Sequence, residues 1–358
     1  MGYLAYFLQL FIALNVLCQI FAEDETTTEA LVKAIEGSED SMSQSEYTDP
    51  QSTGTQSDNN NILLDVGSDY LYIGAEHEGL FSPLVSKDCR CGMSNNPHRI
   101  INGETSAIGA WPWMAVIALL IPDPSDPGRT IYKGFCGGSV INDRYILTAA
   151  HCAEYMKIFG LNTFRIILGD NLIDGTSSTR QVISVAQVKI HPKYNNETVN
   201  YDVALVRLVK TITYNDNIQP ICLGQAGSPF PNKNVTVAGW GLTVAGISSS
   251  ASNALKDTTI QVLSNAECVR IFNDPTFNPG AMICTFTKAT NACNGDSGGP
   301  LMFRRVSSKI YKQIGIVSYG IDACKQIYPV VYTRVKRVLS WIRFVTRDGI
   351  YCGNSFTP

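Results

Sequence analysis

From residue 100 onward, short apolar runs alternate with turns rich in Gly, Pro and Asn. The runs at 113–121, 164–168, 181–190, 235–240, 313–318 and 330–335 predict strands, because short apolar segments bounded by turn residues suit a buried or half-buried sheet. Two segments break that rhythm. Ser264-Asn265-Ala266-Glu267 has the Ser-x-x-Glu spacing with which side chains and backbone cap each other at the start of a helix. Val335, Val338, Leu339 and Ile342 fall at helical spacing, with Lys336, Arg337, Arg343 and Arg347 mostly off that stripe. The pattern predicts an all-β body with a C-terminal helix docking one apolar face, and no internal repeat.

The N-terminal part reads differently. Residues 3–22 are apolar, carry no charge and end in Phe21-Ala22 before Glu23-Asp24-Glu25. This predicts a secretory signal peptide, residues 1–22, removed after Ala22; a membrane anchor is the alternative, since about 20 apolar residues can span a bilayer. Residues 23–60 are polar and acidic, too poor in apolar side chains to offset the entropy of ordering. Residues 61–85 regain Ile62, Leu63, Leu64, Leu71, Tyr72, Ile73, Leu80 and Phe81, as expected of a docking segment, a partner site or a linker.

The net charge of −3 hides a split between 15 acids against 2 bases in residues 23–88 and 24 bases against 16 acids from residue 100 onward. An acidic leader and a basic body attract one another, subject to salt screening.

Of 11 cysteines, ten remain once Cys18 leaves with the signal, an even number suited to an oxidising compartment. Paired Cys-x-x-Cys units of the zinc type are absent, so no metal is expected there. The sequons at Asn196 and Asn234 fit a secreted glycoprotein. His98 and His191 belong to no motif and are read as surface residues.

Three motifs carry chemistry: Thr148-Ala149-Ala150-His151-Cys152, the run from Asp202 to Leu208, and Gly295-Asp296-Ser297-Gly298-Gly299-Pro300. A serine hydroxyl is a poor nucleophile until a base takes its proton, and the base needs a third group to orient it. His151, Asp202 and Ser297 supply these types, and their order separates them from the α/β-hydrolase and subtilisin arrangements. With these motifs, residues 100–347 resemble the chymotrypsin family of serine proteases, a likeness covering most of the chain. The Cys-x-Cys at Cys89 and Cys91 and the Tyr351-Cys352-Gly353 ending are similar to arthropod members, without their six-cysteine clip module.

The resemblance implies two six-stranded antiparallel barrels, a boundary near residue 225 and an active site between them, followed by a tail at 348–358. It implies a secreted serine endopeptidase made as a zymogen. His151, Asp202 and Ser297 would be catalytic, and Gly295 and Ser297 would supply the oxyanion hole. Cleavage at Arg99-Ile100, by an Arg-accepting protease, would free an amine to pair with Asp296. A catalytically inactive binding homologue is a rival reading, opposed by the intact His151, Asp202, Ser297 and Gly295.

The disulfides implied are Cys136–Cys152, Cys268–Cys284 and Cys293–Cys324, with Cys91 to Cys222; Cys89 and Cys352 are left to pair, and the roles of Cys89 and Cys91 are exchangeable at this stage. The substrate pocket would draw on Asn291, Ala292, Ser318, Gly320 and Val330. Asn291 stands where trypsin-like members have Asp, so small to medium apolar side chains are expected, with aromatic ones as the alternative. In the loop where some relatives bind calcium, Asp170 is present but Arg180 falls at a ligand position, so none is expected. The segment Pro122 to Gly128 is expected to be a stiff exposed loop near the cleft. Expected partners are protein or peptide substrates, the activating protease and protein inhibitors. A monomer is expected, with no cofactor and no nucleic acid.

Overall fold

The computed structural model describes residues 84–95, 104–224, 230–243, 250–272, 276–287, 292–293, 295–320, 329–353 and 355–356. The signal-like run, the leader through residue 83, His98, Arg99, Ile100, Asn291 and Cys324 lie outside the described residues.

The described chain opens with β1 (Leu84–Arg90) and the two-residue β2 (Glu104–Thr105). Six antiparallel strands then close a barrel: β3 (Met114–Asp123), β4 (Asp126–Val140), β5 (Tyr145–Thr148), β6 (Phe164–Leu168), β7 (Gln181–Ile190) and β8 (Ala204–Leu208). Their order around the barrel is β3-β4-β5-β8-β7-β6. Ile117, Ile146, Leu147, Phe164, Ile166 and Leu168 are at most 1% exposed and fill it. From Met114 to Ile121 only Leu120 is not fully buried, which is why β3 reads as a continuous apolar run rather than an alternating one.

After the short β9 (Cys222–Leu223), a second ring forms from β10 (Asn234–Gly239), β11 (Lys256–Val262), β12 (Met282–Phe286), β13 (Pro300–Arg304), β14 (Tyr311–Gly320) and β15 (Val330–Arg334). The order is β10-β13-β14-β15-β12-β11, closed by pairing of β11 with β10, with β2 added beside β11 and β9 beside β14. Val237, Ile260, Ile283, Leu301, Ile314 and Tyr332 form its core. The fold is thus the all-β pair of six-stranded antiparallel barrels expected. Polar contacts join the two: Ser139 donates to Gln313 Oε1 at 2.6 Å, with both residues fully buried, and the Trp113 indole points at Met302 Sδ at 3.0 Å.

Three helices lie among the described residues. The first, α1 (Ala150–Ile158), was not evident from the sequence, because its buried positions Ala150, Cys152, Ala153 and Met156 give no strong apolar stripe. In α2 (Asn265–Phe272) the anticipated capping box is formed: Ser264 N–H donates to Glu267 Oε2 at 2.9 Å, and Glu267 N–H to Ser264 Oγ at 3.2 Å. The third, α3 (Val335–Val345), buries Val335, Val338, Leu339 and Ile342, the stripe read from the sequence. No helix of the described residues is long and apolar enough to cross a membrane.

Two expectations are corrected. Pro122 to Gly128 is not a loop: β3 and β4 continue into it, Pro122 opposite Thr130 and Asp123 opposite Asp126. The Asp123 carboxylate closes this hairpin tip, accepting from Ser125 N–H at 2.9 Å and from its hydroxyl at 2.6 Å. His191 is not a surface residue. It is 7% exposed, stacked on Tyr201 with ring centroids 4.9 Å apart and edge-on to Trp341 at 4.8 Å. Burial pushes its pKa down to about 4.

Disulfides join Cys89 to Cys352, Cys91 to Cys222, Cys136 to Cys152 and Cys268 to Cys284. Cys293 is also disulfide-bonded. The first two bonds lie side by side in a small buried cluster where β1 runs parallel to β16 (Ile350–Gly353), pairing Leu84 with Ile350 and Ser86 with Cys352.

Candidate active site

His151 enters the site as the second residue of α1, directly after β5. Thr148, the last residue of β5, donates its hydroxyl to the Gly137 carbonyl at 2.8 Å and fixes the approach to that helix. Two bonds then set the imidazole: His151 N–H to Asp202 Oδ1 at 3.0 Å, and Nδ1 against Asp202 Oδ2 at 2.8 Å.

Asp202 precedes β8 and is 0% exposed. A buried carboxylate needs donors, and it finds a third in the Ser318 hydroxyl, 2.6 Å from Oδ2. Thr333 donates to the Asp202 backbone carbonyl at 2.8 Å, fixing the residue from the other barrel. The backbone leading in is unusual: Val199 and Tyr201 have φ of 53° and 54°, a region costly for side chains, and most of all for a β-branched one.

The electrostatics follow from the pair. For His151 burial acts to lower the pKa, but the Asp202 charge and hydrogen bond outweigh it and the net direction is upward. For Asp202 burial acts upward, while His151, Ser318 and the His151 N–H bring the net below the ordinary carboxylate range.

Ser297 lies in a turn stitched to both barrels. Its carbonyl accepts from Gly137 N–H at 2.8 Å, and Gly298 N–H donates to Val317 at 2.8 Å. Gly298 has φ of +81°, and a β-carbon there would run into Thr148 Oγ1 and the Gly137 carbonyl. Gly295 has φ of +95°. Among the described residues, neither Gly295 N–H nor Ser297 N–H donates to a protein acceptor.

Asp296 turns away from Ser297, accepting from Gly241 N–H and Cys293 N–H, each at 2.8 Å. Burial pushes its carboxyl up to about 6, and no cationic side chain of the described residues pairs with it.

Of the expected pocket residues, Ala292 and Val330 are buried in one apolar cluster with Val317 and Tyr332. Gly320 is exposed and pairs with Val330 across β14 and β15. Ser318 sits differently from its neighbours: its hydroxyl is committed to Asp202, a role the linear sequence did not reveal. Asn196 and Asn234 are both exposed.

Cys136, His151 and Cys152 cluster within 4.8 Å, but the two sulfurs are bonded to each other and offer no thiolate to a metal. In the loop after β6, the Arg180 guanidinium donates to the carbonyls of Leu172 and Ile173 at 3.0 and 2.6 Å and lies 3.6 Å from Asp170 Oδ2. The donor set there is met from within the chain.

The chain is similar to known proteins over most of its length. The Trypsin family model matches residues 100–342. The chain is 32% identical to the Clotting factor G beta subunit of Tachypleus tridentatus, over 72% of this chain and 82% of that one. It is 33% identical to Venom serine protease Bi-VSP of Bombus ignitus, over 75% and 73%, and 33% identical to Venom serine protease 34 of Apis mellifera, over 75% and 63%.

Proposed function

The chain belongs to the trypsin family and is a serine endopeptidase, and from that premise we propose that His151, Asp202 and Ser297 carry its chemistry. The observation that supports this most is the 2.8 Å contact of His151 Nδ1 with the fully buried Asp202. It holds the tautomer that leaves Nε2 free as base. Ser297 attacks the peptide carbonyl while His151 takes its proton, then returns it to the leaving amine. Water repeats the sequence on the acyl-enzyme. The N–H groups of Gly295 and Ser297 receive the oxyanion; one such donor is typically worth about 2.7–4 kcal/mol in the transition state.

The protein is read as a secreted zymogen: signal at 1–22, acidic leader at 23–99, protease at 100–347 and tail at 348–358. Cleavage after Arg99 frees the Ile100 amine to pair with Asp296, whose raised pKa marks a carboxylate in want of a cation. The activator is a protease accepting Arg, and protein inhibitors are further partners. The mature enzyme is a monomer preferring small to medium apolar residues before the scissile bond. Its pocket includes Ala292 and Val330, packed in one apolar cluster, with Asn291 rather than an acid at its floor. Extracellular cascade or venom roles, as the relatives' names indicate for them, are the settings this reading favours.

Treating the secreted protein with trypsin and sequencing the new N-terminus tests the activation step. A peptide library then tests the rest, with Ser297→Ala as control. Ser297-dependent cleavage after apolar residues is expected. Cleavage mainly after Arg or Lys would overturn the specificity, and inactivity of the correctly cut protein would leave a binding homologue.

A further inference from the structure

Asp202 is not the only acid placed near His151 by the fold. Glu154 follows it by three residues on α1, the spacing that places two side chains on one side of a helix. The Glu154 carboxylate is held in place: the Tyr194 hydroxyl, from the connection between β7 and β8, donates to Oε2 at 3.3 Å. Tyr194 is fixed in turn through its N–H, bonded to the His191 carbonyl at 2.9 Å. No cationic side chain of the described residues forms an ion pair with Glu154. The mechanism above makes no use of this acid.

We propose that Glu154 is a second acidic positioning residue for His151: Asp202 fixes Nδ1, and Glu154, three residues on along α1, supplies a second negative charge when the ring becomes imidazolium. This rests on His151 being the general base. The interactions are mutual. Glu154 adds to the upward displacement of the His151 pKa, after the larger effects of burial and Asp202. Burial raises the pKa of Glu154 itself, and Asp202 raises it further against the Tyr194 hydrogen bond, His151 and Lys157. Asp202 ahead of β8 contacts the imidazole, Ser318 on β14 contacts Asp202, and Tyr194 after β7 and Lys157 on α1 act on Glu154. Only Asp202 and Glu154 among them are acids.

The test is kcat/KM against pH for the cleaved enzyme, with an uncharged peptide substrate. Removing the charge in Glu154→Gln lets His151 lose its proton more easily, so the acid limb moves to lower pH, by about half a unit. Glu154→Lys moves it about twice as far. Both displacements shrink in about 1 M salt, and Glu154→Asp keeps the wild-type limb. Acid limbs of Glu154→Gln and Glu154→Lys that coincide with wild type, or move upward, would overturn the proposal. Should those variants fail to fold, Glu154→Ala and Glu154→Ser read the same effect: a downward move of the limb supports the proposal, and an unmoved limb sinks it. His151→Ala is run alongside. Full activity in that variant would discredit the underlying assignment rather than the role of Glu154.

Discussion

At Gly298 a single missing β-carbon decides whether Ser297 can stand where it does. The position has φ of +81° and is pressed against Thr148 and Gly137. Gly298→Ala is expected to destabilise by about 1–3 kcal/mol, seen as a lower Tm, with kcat falling more than KM changes as Ser297 is displaced. Asp296 yields a pH-dependent prediction. Its folded pKa, about 6, lies above the ordinary value of 3.8, so the folded uncut protein binds the proton more tightly than the unfolded chain does. Its ionisation therefore costs stability as pH rises from about 4 to 6. Thermal melts of the uncut protein should show that loss, and Asp296→Asn should lack it; equal slopes for the two would refute the assignment. The reactive residue types were legible in the sequence because they sit in short motifs. The second role of Ser318 was not, because Ser318 and Asp202 are 116 positions apart. His191 was misread for a similar reason: its apolar cover, Tyr201 and Trp341, comes from elsewhere in the chain.

Among the elements, those with a local signal were read well. Apolar runs at 164–168 and 181–190 coincide with β6 and β7, since each is bounded by turn residues and needs no distant information. The capping box ahead of α2 was equally local. Ser264→Ala should cost about 1 kcal/mol, measured by denaturant unfolding, and leave the substrate profile unchanged. Helix α1 carried no such signal, although it bears His151. Its inward positions are two alanines, a disulfide cysteine and Met156, too few large apolar residues for a stripe, so packing rather than pattern holds it. Prolines at 122, 124 and 127 suggested a loop, yet Asp123 and Ser125 close a turn that lets β3 and β4 run on.

For the molecule as a whole, two barrels and both disulfides of the leader were foreseeable from the family likeness, but the strand pairing beside those bonds was not. Cys89–Cys352 and Cys91–Cys222 both bind the segment before Arg99 to the protease body, reinforced by β1 alongside β16. After cleavage at Arg99, a non-reducing gel should show one band and a reducing gel two. Cys91→Ser with Cys222→Ser should still show one band without reductant; release of the leader from that variant would mean the Cys89–Cys352 bond does not form. The same double fastening changes what activation means. A cut at Arg99, as proposed, would create a new end without discarding the leader, so whatever residues 23–83 recognise would travel with the catalytic unit. A ligand gripped by that acidic arm would be presented to the enzyme at a local concentration of about millimolar, and the leader would act as a permanent address on the mature protease.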